Sequence, residues 1–83
     1  MITHWLRMAP APCVCWASFE CHGETATVLA LIGATRSIIE RGISAEEARA
    51  IYRRLRADGW FAADAQARDE KMTPSRLLTM IRD

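Results

Sequence analysis

Cys13, Cys15, Cys21 and His22, with His4 upstream, are the residues of this chain whose types could do chemistry as a group. Thiolate sulfur and imidazole nitrogen are zinc ligands, and four of them would close a tetrahedral structural site. Their spacing argues against it. Structural sites use pairs separated by about two to four residues, so that a turn aims both side chains at one ion. Cys13 and Cys15 flank a single residue in an extended segment, and Cys21 and His22 are adjacent, so neither pair converges well. We therefore expect no metal and no cofactor, the thiols acting as small buried hydrophobes. A cysteine nucleophile needs a base and a group to orient that base. His4 and His22, the two histidines, complete no such set, and the chain reads as a protein that is not an enzyme.

The other chemistry on offer belongs to arginine. Arg49, Arg53 and Arg56 fall at i, i+4 and i+7 of an expected helix, with Arg54 beside them, and a guanidinium fork pairs bidentately with carboxylate or phosphate. The competing reading is a solvated face that pairs with itself, Glu46 with Arg49 and Arg54 with Asp58, in the acid-first order that the helix dipole favours. Trp60 follows closely, and an exposed tryptophan beside arginines has the composition of an interface hot spot. Arg49, Arg53, Arg54, Arg56 and Trp60 are accordingly the expected partner-binding set.

Charge narrows the class of partner. Eleven basic and ten acidic residues leave a net charge of +1. The balance also holds regionally, since residues 24–59 set six arginines against Glu24, Glu40, Glu46, Glu47 and Asp58. A nucleic-acid binder draws most of its affinity from phosphate neutralisation and shows a basic face or a high pI. The pI of 7.8 points instead to a protein partner.

The elements that must position these residues are marked by their ends. Ser44 stands three residues before Glu47, a capping box, and Gly59 can take the left-handed conformation that stops a helix, so Ser44–Asp58 is expected to be helical. Thr73-Pro74 is a second start signal, a capping hydroxyl with proline at the first helical position, and Leu77, Leu78 and Ile81 give a last helix, Pro74–Arg82, its apolar side. Ahead of these, Val28, Leu31, Ile32, Thr35, Ile38 and Ile39 recur at the helical repeat and predict a first helix over Thr25–Arg41, although Thr25 to Val28 would also suit a returning strand. The small residues Ala30, Gly33, Ala34 and Ser37 would form a ridge on its far side where a second copy could approach, making them the expected self-association face.

Cys13–Cys21 alternates in a way that suits a strand, with Cys13, Cys15, Ala17, Phe19 and Cys21 on its apolar face. Residues 1–12, ending in Ala9-Pro10-Ala11-Pro12, read as an extended N-terminal arm, anchored by Trp5 and Leu6. Ala62 to Lys71 has only alanines to bury and reads as a weak exposed helix or an ordered loop. The expectation is one domain, mainly α: residues 13–83 as a small three-helix domain, with room for a short N-terminal strand or hairpin. Phe19, Val28, Leu31, Ile32, Ile38, Ile39, Ile51, Leu55, Trp60, Leu77, Leu78 and Ile81 are its expected core.

An odd number of cysteines, three, suits a reducing compartment. Met1 to Phe19 makes a poor secretory signal because it has one basic residue and two prolines inside its apolar stretch. No apolar run approaches the ~20 residues that span a bilayer, so the chain reads as cytoplasmic and free of membrane. The leading functional expectation is a small non-enzymatic interaction module, an adaptor or inhibitor that docks on a larger protein through its helix faces and that could pair with itself. The alternative is a DNA-binding helix-turn-helix regulator, in winged form if Trp60-Phe61 opens a hairpin, because Ile38, Gly42, Ile43, Ala48 and Ile51 match that motif's apolar and glycine positions. The length of the first helix and the acidic start of the second both weigh against it.

Overall fold

The computed structural model describes residues 1–8, 14–33 and 35–82. Along the chain these form β1 (Ile2–Met8), β2 (Cys15–His22), β3 (Thr25–Ile32), β4 (Arg36–Ser44), α1 (Ala45–Ala57), β5 (Phe61–Ala62), α2 (Asp64–Asp69) and α3 (Pro74–Ile81). The strands make one antiparallel sheet in the order β4-β3-β2-β1-β5. The mainly α, three-helix expectation is therefore overturned: the three helices are short and lie against a five-stranded sheet.

The largest departure lies between β2 and α1. Thr25–Arg41, expected as a helix, is β3, a turn and most of β4. Gly33 sits in that turn at φ +69°, a conformation that L side chains rarely adopt. Ala34 lies outside the described residues. The strand was masked because β3 is covered on both faces, so Val28, Leu29, Ala30, Leu31 and Ile32 run together as continuous apolar sequence rather than alternating with polar residues. A continuous run contains the helical repeat as readily as any other, and its true period is hidden.

The residues on the two faces follow from the register. Leu6, Ala17, Ala30 and Ile38 are paired in a row across the sheet, as are Trp5, Ser18, Leu29 and Ile39, and paired residues share a face. The first row belongs to the side where Phe19, Ala26 and Val28 meet Ala48 and Leu55 of α1 and the Trp60 ring. The second belongs to the side where Trp5, Trp16 and Leu29 meet Ala67 of α2, Leu77 of α3 and Met72 of the connection between those helices. Leu6 and Leu77 are fully buried, one in each layer, each contributing about 1.5–3 kcal/mol by its removal from water. Trp5 and Trp16 pack edge to face, 5.8 Å between ring centres. On the same face, paired with Trp5, Ser18 has its Oγ fully buried with no hydrogen-bond partner among the described residues.

Both helix ends written in the sequence are present. Ser44 Oγ accepts from Glu47 N–H at 3.0 Å and the Glu47 carboxylate reaches Ser44 N–H at 3.5 Å, starting α1 at Ala45. Thr73 Oγ1 accepts from Arg76 N–H at 3.1 Å and starts α3. Ile2–Met8, within the expected arm, is a strand paired on both sides, with β2 and β5. Ile39, expected in the core, is 44% exposed on the outermost strand. Among the described residues no helix is long and apolar enough to cross a membrane.

Candidate functional site

A cleft of about 390 Å³ opens where α1 passes over the ends of β1 and β2. Phe19, Ala48 and the Tyr52 ring form its apolar walls, while His4, Cys21 and Arg49 supply its polar groups. Tyr52 is held by Phe19, with ring centres 5.3 Å apart and planes at 72°. Strand register brings His4 into place, because it pairs directly with Phe19, and Cys21 follows two residues further along the same face. Arg49 and Tyr52 arrive together from α1, one turn apart.

Arg53 and Arg56 continue the line from Arg49 along the exposed side of α1, and Arg54 lies on the flank away from Tyr52. The self-paired arrangement does not form. Among the described residues the one ion pair is Arg7 with Glu70, on the other side of the sheet, where the Arg7 guanidinium also lies 4.8 Å from the Trp16 ring centre. Among the described residues the arginines of α1 therefore stand without a carboxylate partner, next to an open apolar cleft.

Three expected sites change. Trp60 is only 4% exposed, packed with Leu6 and Leu55, so it supports α1 from beneath and offers nothing to a partner. The self-association ridge does not exist: Ala30 is fully buried under α1, Gly33 is in the β3–β4 turn, Ser37 is exposed on β4, and Ala34 lies outside the described residues. The helix-turn-helix motif also falls, since the segment before Gly42 is strand β4.

The soft ligands are scattered. Cys15 is buried beneath α1, and Cys21 is six residues away on the same strand, about 20 Å at the strand rise. His22 points to the opposite face, within 3.5 Å of Thr27 Oγ1, and Cys13 lies outside the described residues. Among the described residues no group of three or more histidines, cysteines or carboxylates could hold a metal ion.

Helical spacing groups Arg49, Arg53, Arg54 and Arg56 on the sequence alone, but it does not reveal that His4, Cys21 and Tyr52 gather beside Arg49. Tyr52 was accessible, because it follows Arg49 by three positions and so shares its side of the helix. His4 was not, because only the β1–β2 pairing brings it there. A second groove, of about 260 Å³, lies between α3 and the sheet, with Glu20, Thr27 and Arg41 at its polar side.

The chain matches no family model, no curated protein and no solved structure.

Proposed function

We propose that this protein is a non-enzymatic interaction module, an adaptor or inhibitor, that captures an acidic segment of a larger protein along α1. One observation carries the reading: Arg49, Arg53 and Arg56 form a row with no carboxylate partner among the described residues, running past the mouth of an apolar cleft. Such a surface suits an apolar side chain seated against the Phe19 and Tyr52 rings in the cleft, with neighbouring carboxylates in charge-assisted pairs on the arginines. Aspartate and glutamate are preferred to nucleic-acid phosphate because the net charge is near zero and Glu46 and Glu47 begin the same helix. The cytoplasm is the compartment this reading uses, since three cysteines, with Cys21 a thiol beside the cleft, suit a reducing medium.

The test is a titration of the isotope-labelled protein with synthetic peptides carrying leucine or phenylalanine among aspartates and glutamates, against a control with lysine in place of the acids. Backbone shifts confined to His4, Cys21, Arg49 and Tyr52 are expected. The double substitution Arg49→Glu, Arg53→Glu should weaken binding by about tenfold to a hundredfold while leaving the circular dichroism spectrum unchanged. Binding that survives the charge reversal would sink the proposal. A steeply salt-dependent response to duplex DNA, with none to the acidic peptides, would replace it with nucleic-acid recognition.

A further inference from the structure

Among the described residues β4 is bonded to β3 on one side only, and its other side is the long edge of the sheet. It is nine residues long, almost wholly exposed, with Ile38 half-buried and Ile39 44% exposed. Edge strands of that length are templates for pairing with another chain unless prolines, bulges or covering elements blunt them. The single irregularity lies at one end, where the pairing skips from Val28 with Glu40 to Ala26 with Ile43 and Gly42 takes φ +68°. That bulge leaves Arg36–Glu40 as a regular stretch.

We propose that this stretch is the seam of a homodimer, in which two copies pair antiparallel about a two-fold axis through Ile38. A two-fold axis normal to the sheet keeps each face on its own side, so residues of the same parity must meet. With the axis at Ile38, Arg36 lies opposite the partner's Glu40 and Glu40 opposite the partner's Arg36, with the two Ile38 side chains between them. On the other face Ser37 meets the partner's Ile39. Neighbouring registers lose this match. An axis at Glu40 sets two carboxylates against each other, one at Ile39 sets Ile38 against a carboxylate, and one at Ser37 sets Ile38 against a guanidinium. Opposite charges directly across an antiparallel pair stabilise it and like charges destabilise it, so the sequence of the edge selects both the partner, a second copy of this chain, and the register. The seam is independent of the proposed acidic-segment site, which lies on the side of α1 that carries Tyr52.

Sedimentation velocity of the full chain over a concentration series tests this. The wild type should move toward twice its 9.3 kDa mass as concentration rises. Arg36→Glu alone places carboxylates opposite one another at two points, and Glu40→Arg alone does the same with guanidinium groups, so each should raise the dimer dissociation constant about tenfold or more. An equimolar mixture of the two variants restores both opposite-charge pairs and should recover the dimer, as should the double swap Arg36→Glu, Glu40→Arg in one chain. Wild type that stays monomeric at every concentration would overturn the proposal. A dimer indifferent to the single reversals, or single variants that do not rescue one another on mixing, would do so equally.

Discussion

At the β5 end of the sheet the chain finishes its own edge. β5 has only two residues, and beyond it Ala63 N–H donates to Trp5 O at 2.9 Å and Trp5 N–H donates to Asp64 Oδ1 at 2.9 Å. Trp60, buried against Leu6 and Leu55, holds the turn in place from the other side. At the β4 end there is no counterpart: nine residues present their outer backbone with no strand beyond them among the described residues. The difference teaches that a strand edge is satisfied where later chain happens to return to it. The chain after β4 leaves along α1 across the sheet and comes back on the far side. The edge it abandons is therefore the place to look for a second molecule.

Breaking the finished edge should cost most. Trp60→Ala removes a large buried ring and should destabilise the domain by about 3–5 kcal/mol in chemical denaturation, a large part of what a domain of this size has. Asp64→Ala, which leaves the Trp5 amide without its acceptor, should cost about 1–2 kcal/mol and speed hydrogen exchange at Trp5 before other β1 amides. At the open edge, Gly42→Ala forces a side chain into a left-handed backbone that has free space around it, so strain alone acts and about 1 kcal/mol is expected. Smallest of all, Arg36→Glu should change monomer stability by less than about 0.5 kcal/mol, even though it is expected to split the dimer. If Arg36→Glu instead destabilised the monomer as much as Asp64→Ala does, the β4 edge would have an intramolecular role and the contrast between the edges would fail.

The same contrast explains what could be read in the sequence. α1 and α3 were legible because their caps join residues three apart: Ser44 with Glu47, Thr73 with Arg76. The arginine row was legible for the same reason, since i, i+4 and i+7 share a side of any helix. β3 and β4 were misread. Their β-branched residues Thr25, Thr27, Val28, Ile32, Ile38 and Ile39 favoured strands, but burial on both faces removed the alternation from β3, and the exposed β4 sets Ile38 and Ile39 side by side with no alternation of its own. Trp60 was assigned to a partner because an aromatic near arginines resembles a hot spot, and nothing local says that Leu6, more than fifty positions earlier, would come to cover it. The cleft was illegible in the same way, since His4 and Arg49 belong to elements that meet only when the sheet is assembled.

Taken by itself, the sequence determined where α1 and α3 start and which charges ride together on α1, because those interactions close within one or two turns. The tertiary structure alone decided that the molecule is built on a sheet, that Trp60 is interior, that His4 and Cys21 face Arg49, and that β4 is left as an edge. Each of these depends on pairings between distant residues, such as Trp5 with Asp64, 59 positions apart, and such pairings form only because many of them bury apolar surface together.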